Sequence, residues 1–170
     1  MKVSAIAISL FFSICAFQYS KPGFFIENDR EDVESIRDNK ADSIVNLAQN
    51  FLGITYKYGG TSPKDGFDCS GFVYYVMKNN EIDVPRTSSG YQNFGKNIAI
   101  EEAERGDIIL FKGTDPTVDK IGHVGIVISQ KGEPLRFIHS SSSKKHYGIV
   151  IAEYSESNYP KRFKGIRRVF

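Results

Sequence analysis

The hydrophobic spacing of this chain changes once, at Arg105-Gly106-Asp107, and that change limits the available folds more than any other feature. Before it, Ile44, Val45, Ala48, Phe51 and Leu52 recur at helical intervals, and Gly53 stands where a C-terminal cap would fall. A second helix is predicted from Asp68, a good N-cap, to Asn79-Asn80, with Phe72, Val73, Val76 and Met77 on one face. Residues 56–66 form a turn-rich connection into it, and the loop 85–90 leads on to a short helix carrying Tyr91 and Phe94, capped by Thr87 or Ser88. After the change come β-branched runs at 108–111, 123–128, 135–139, 148–152 and 165–170. Helices followed by strands joined by short turns predict an α+β domain, its N-terminal helices packed on a C-terminal antiparallel sheet.

A chain of 170 residues is long enough for one domain with a real core. Its formal charge of +2 is too small to argue for nucleic acid, and no basic stripe is interleaved with aromatics as in single-strand binders. Lys2 precedes an uncharged run, residues 3–17, broken only by serines. That run is shorter than the roughly 20 apolar residues of a spanning helix, and with its basic start it predicts a signal peptide over residues 1–18. The protein is therefore expected to be exported, to the periplasm, the cell envelope or the medium. Cys15 would anchor it to a membrane only if lipidated, and Ile14 before it is not the small residue such a site favours. Residues 19–40 are polar and acidic and read as a flexible lead-in, which leaves 41–170 as the folded domain. The basic segment Lys161, Arg162, Lys164, Arg167 and Arg168 reads as a solvated edge strand.

With Cys15 removed, Cys69 is the only cysteine and no internal disulfide can form. Cys69 opens the second helix, where unpaired backbone N–H groups and the helix dipole favour thiolate over thiol. It is a candidate nucleophile; a small buried core residue is the competing reading.

Two histidines give the thiol a candidate partner. In a strand His123-Val124-Gly125-Ile126-Val127, alternation places His123, Gly125 and Val127 on one face; in Leu135-Arg136-Phe137-Ile138-His139 it groups Leu135, Phe137 and His139. A hairpin centred on Lys131 would set Val127 opposite Leu135, Gly125 opposite Phe137 and His123 opposite His139. Paired imidazoles can serve as a base and the group that orients it. The alternatives are packing on the sheet, or a zinc site of Cys69, His123 and His139, which lacks the close ligand pairs typical of such sites. His146 lies in a Ser/Lys-rich turn and reads as exposed.

Taken in order, Tyr56-Lys57-Tyr58-Gly59-Gly60, Asp68-Cys69-Ser70-Gly71-Phe72-Val73, Pro85-Arg86-Thr87-Ser88-Ser89, Gly106-Asp107-Ile108, His123-Val124-Gly125-Ile126 and Phe137-Ile138-His139 resemble the NlpC-type cell-wall cysteine peptidases, from about Ile44 to the C-terminus. The resemblance implies a papain-like α+β fold and hydrolysis of amide bonds in peptidoglycan stem peptides, commonly between D-glutamate and a diamino acid. By position it makes Cys69 the nucleophile, His123 the base and His139 the residue that orients it. Tyr56 would help form the oxyanion site, and Asp68, Ser70, Arg86 and Ser88 would line the substrate groove. It implies no metal or organic cofactor; the expected partners are stem peptides or muropeptides, and the expected state is a monomer. The loop 112–120 is expected to narrow one side of the site. Cleavage of the muramoyl-L-alanine amide, acyl transfer, and a non-catalytic wall-binding module remain as alternatives.

Overall fold

Ile108-Ile109-Leu110-Phe111 is apolar at every position and all four residues are fully buried, because their strand runs through the middle of a sheet with a core on each face. The computed structural model describes residues 24–115, 117–156 and 158–170; the predicted signal segment and Cys15 lie outside the described residues. Helix α1 (Phe24–Gln49) comes first. A short hairpin, β1 (Thr61–Ser62) and β2 (Gly66–Phe67), leads to helix α2 (Cys69–Asn79). A 3-10 turn follows at Ser88–Asn93, then β3 (Lys96–Ile98), β4 (Ile108–Lys112), β5 (Ile121–Val127), β6 (Arg136–Ser143), β7 (His146–Glu153), the one-turn helix α3 (Tyr159–Arg162) and β8 (Phe163–Arg168). The last six strands form one antiparallel sheet in the order β3-β8-β4-β5-β6-β7, the α+β arrangement that the change of periodicity predicts.

Alternation along the strands divides the apolar residues between the two faces. Ile108, Leu110, Val124, Ile126, Ile138 and Ile149 pack under Ile44, Val45 and Ala48 of α1 and Phe72, Val73, Val76 and Met77 of α2. Ile109, Phe111, Val127, Phe137 and Ile166 form a second core on the other face, against Tyr154, Tyr159 and Phe163. Among the described residues no helix is long and apolar enough to cross a membrane.

Two expectations are corrected. The acidic lead-in is helical from Phe24, since the stretch to Gln49 contains neither Gly nor Pro and an established helix extends at little cost. Val33 and Ile36 on it are exposed, but Arg37 pairs with Glu104 at 3.1 Å and Lys40 donates to the Asn80 carbonyl at 3.0 Å, so its second half is tied to the domain. The basic C-terminal segment is no solvated edge: β8 lies between β3 and β4, and Arg168 pairs with fully buried Asp107 at 2.8 Å.

The β5–β6 register also differs. Val127 pairs with Phe137 and Ile126 with Ile138, so the connection is centred on Gly132 rather than Lys131. The cause is a turn in which Glu133 N–H donates to the Gln130 carbonyl at 3.2 Å with Gly132 at φ 85°, a left-handed conformation that favours glycine at that position. Each strand moves by one residue, the pairing therefore by two, and every side chain keeps its predicted face.

Candidate active site

Asp68 sets the start of α2. Its backbone is extended and its Oδ1 accepts the Gly71 N–H at 2.6 Å, so the next residue, Cys69, begins the helix as predicted. Asp68 Oδ2 accepts from Gly59 N–H at 2.9 Å, and Arg86 reaches both carboxylate oxygens at 3.1 and 3.0 Å while donating to Ser70 Oγ at 3.1 Å and the Gly59 carbonyl at 3.0 Å. Asp68, Ser70 and Arg86 are thus brought together as one network that locks the 56–66 connection to the helix start. Ser88 opens its 3-10 turn outside that network; among the described residues its hydroxyl makes no hydrogen bond.

Cys69, Tyr56 and His123 line one cleft of about 370 Å³ together with Gly122, Ser142 and Arg162. Gly113, Thr114, Asp115, Val118 and Lys120 of the 112–120 loop form one side of it, as expected. The Cys69 thiol donates weakly to the Gly122 carbonyl at 3.9 Å. Tyr56 is held from behind, where Tyr147 Oη donates to its carbonyl at 2.9 Å, and burial chiefly, then the neighbouring Cys69 and Asp68, raises its hydroxyl pKa, so it stays a protonated donor.

His123 and His139 meet as the shared face requires, Nε2 to Nδ1 at 2.8 Å. They are not directly opposed. Continuing the observed register puts Gly125 across from His139, and the two imidazoles meet along the diagonal. Gly125 is needed for this: a Cβ there would come 2.9 Å from the Phe137 ring and 3.1 Å from His139 Cβ. His146 is exposed, as expected, at the rim of a larger cleft of about 1050 Å³ that runs along His139.

Burial pushes the Cys69 thiol up, against the Val124, Ser70 and Cys69 N–H groups that favour the anion. This reverses the expected thiolate: the helix start does contribute, but desolvation outweighs it. Burial first, then His139 and Arg162, lowers His123 well below the ordinary imidazole range. His139 is lowered to about 4 by burial, Arg162 and His146. The resting site therefore holds a neutral thiol and two neutral imidazoles. Among the described residues no three His, Cys, Asp or Glu side chains are grouped to hold a metal ion.

Sequence reasoning missed Tyr159, whose Oη lies 3.1 Å from His139 Nε2 and whose ring packs against Phe111 and Phe137 at 5.2 and 4.9 Å. It also missed the place of Arg162 in the cleft. Neither carries a spacing signal, since both come from a single helical turn between strands.

A thiol at a helix start, a histidine in the same cleft and a second histidine hydrogen-bonded to the first have the chemistry for acyl transfer. Residues 53–168 match the NlpC/P60 family. The chain belongs to that family. It is 36% identical over 138 residues to the Gamma-DL-glutamyl hydrolase of Bacillus subtilis, covering 78% of this chain and 30% of that protein. It is 28% identical over 182 residues to the Murein DD-endopeptidase MepS/Murein LD-carboxypeptidase of Escherichia coli, covering 98% of this chain and 90% of that one. Among solved structures, an NlpC/P60 family protein of Bacillus cereus superposes with a TM-score of 0.67 at 32% identity, covering 76% of this chain and 40% of its own. The chain thus spans under half the length of two of these three proteins.

Proposed function

We propose that this NlpC/P60 chain is an exported cysteine peptidase that hydrolyses amide bonds in peptidoglycan stem peptides, at the bond between D-glutamate and a diamino acid. The observation that carries the reading is Cys69 at the start of α2 in one cleft with His123, which is itself hydrogen-bonded to His139. The γ-glutamyl activity in the name of the Bacillus subtilis relative supports the choice of bond.

In this mechanism His123 takes the thiol proton as Cys69 Sγ attacks the scissile carbonyl carbon. Since Nε2 of His123 faces His139, Nδ1 is the nitrogen left for the thiol. The Cys69 N–H and the Tyr56 hydroxyl stabilise the oxyanion, each such donor contributing about 3 kcal/mol in the transition state. The imidazolium then protonates the leaving amine, the C–N bond breaks, and a thioester remains. His123 next takes a proton from water as the hydroxide adds to the thioester carbon, the C–S bond breaks to release the carboxylic acid, and the Cys69 thiolate recovers its proton from the imidazolium. Asp68, Ser70 and Arg86 hold the turn that carries Cys69; they and Ser88 stand outside the lining of the cleft itself.

A second reading is a DD-endopeptidase cut, favoured by the Escherichia coli relative, which matches this chain over nearly its full length. Mass spectrometry of muropeptides after digestion separates the two readings: stems cut after D-glutamate are expected, cross-links opened with intact stems would give the second, and loss of whole stems would mark an amidase. Cys69→Ala should abolish every new product while the protein keeps its fold; hydrolysis near the parent rate by that variant overturns the assignment.

A further inference from the structure

Arg162 ends α3 and lines both the cleft that holds Cys69, Tyr56 and His123 and the larger cleft that runs along His139. Its Nε and Nη2 both donate to the Lys112 carbonyl, at 3.2 and 2.8 Å, which fixes the guanidinium and leaves the N–H groups of Nη1 uncommitted among the described residues. Arg37, Arg86, Arg105 and Arg168 each pair with a carboxylate. Among the described residues Arg162, like Arg136 and Arg167, pairs with none, and of these three it is the one that lines the clefts; the acidic groups there, Asp115 and Glu156, are exposed and neither bridges to it. A half-buried guanidinium anchored on a carbonyl oxygen and lining the same cleft as Cys69 is prepared for a planar anion with two oxygens.

We propose that Arg162 binds a free carboxylate of the substrate next to the amide that is cut. The proposal rests on the stem-peptide reading and adds what that site selects. A D-glutamyl residue linked through its side chain keeps its α-carboxylate on the acyl side of the scissile bond. A diaminopimelyl residue carries a second carboxylate on the amine side, where lysine has none. The one on the same side of the scissile bond as Arg162 would reach the guanidinium. Binding there also acts on the chemistry: Arg162 is among the causes that hold both histidines neutral, and a bound carboxylate offsets its charge just when His123 must become imidazolium. Arg162 is therefore expected to affect kcat as well as KM.

The test uses four synthetic γ-D-glutamyl peptides, crossing α-carboxylate against α-carboxamide with diaminopimelate against lysine. The parent should favour one carboxylate over its uncharged counterpart by about tenfold in kcat/KM, and the pair that shows the preference identifies which carboxylate is bound. In Arg162→Gln that ratio should fall toward one; in Arg162→Lys a large part of it should remain. Equal kcat/KM of the parent on all four peptides overturns the proposal without any variant, so a poorly folding substitution does not shield it. A ratio unchanged in Arg162→Gln overturns it too. Hydrolysis of none of the four by the parent counts instead against the stem-peptide reading, and the carboxylate site falls with it.

Discussion

Nε2 of His123 and Nδ1 of His139 stand 2.8 Å apart although the two residues are not directly opposed in the sheet. The contact survives the offset because both rings project from one face, and Gly125, the residue level with His139, has no side chain to come between them. His139 is only 2% exposed and has a hydrogen-bond partner at each ring nitrogen, the setting that the proposed orienting role needs. His139→Ala should lower kcat on the order of a hundredfold or more, and His139→Asn or His139→Gln, which restore a hydrogen bond to His123 Nε2, should lose much less. Alkylation of Cys69 at alkaline pH should persist in all three. Equal activity of parent and His139→Ala would remove His139 from the mechanism.

Tyr159 extends that chain by one bond. For His123 to act as base its Nδ1 must be bare, so its hydrogen sits on Nε2 and is donated to His139 Nδ1. His139 then carries its hydrogen on Nε2 and donates it to Tyr159 Oη, 3.1 Å away. In Tyr159→Phe this buried N–H loses its acceptor, and the competing tautomer, which donates from His139 to His123 and leaves His123 protonated on the wrong nitrogen, gains ground. A mis-set tautomer in a catalytic triad costs up to about ten-thousandfold; acting one bond further out, Tyr159→Phe should lower kcat on the order of tenfold with KM unchanged. Ring-nitrogen NMR of the histidines should show the tautomer shift, and a parent-like spectrum with parent kcat would rule the role out.

How far the sequence reaches can be judged residue by residue. Cys69 was legible because a cap, Asp68, and a helical stripe fix where α2 begins. The shared face of His123 and His139 was legible because period-two parity survives a shift of the pairing by two. The register was not, because it depends on which turn residue takes a left-handed conformation, and Gly132 rather than Lys131 centres the turn. The interior place of β8 was hidden because order along the chain does not set order across the sheet. Tyr159 and Arg162 were invisible for a related reason: a single helical turn has no periodicity, and only the folded sheet brings it over the histidines.

The charge state of Cys69 makes a third test. With the Cys69 thiol raised by burial and His123 lowered, a thiolate–imidazolium pair is not the resting state. The thiolate is the species that alkylates. In the free protein the rate with iodoacetamide should therefore be low at neutral pH and climb into the alkaline range, without a plateau reaching down to acid. A rate already level between pH 5 and pH 8 would show a preformed ion pair and reverse this reading.

Away from the cleft, Asp107 is fully buried and accepts from Arg168 Nε and Nη2 at 2.8 Å each and from Glu104 N–H at 3.0 Å. It ties the start of β4 to the end of β8. Asp107→Ala leaves the guanidinium short of its buried partner and should cost roughly 3 kcal/mol of stability. Urea unfolding measures it; a loss under about 1 kcal/mol would mean that the remaining Glu104 contact, at 2.6 Å, suffices.

Acid should unfold the protein through His123 and His139. His139 has a pKa of about 4 in the folded state against an ordinary value of 6.5, and His123 is also depressed. For an imidazole depressed on folding, the unfolded chain binds more protons between the two values, so stability is full above pH 6.5 and falls as the pH drops toward 4. The His139 shift alone amounts to about 3 kcal/mol between pH 7 and pH 4. Replacing His139 with Gln removes one of these protons, and with it much of the slope. Urea midpoints measured at pH 7, 6, 5 and 4 should therefore fall steeply for the parent and more gently for His139→Gln. Parallel declines for the two proteins would show that His139 is not held neutral by the fold.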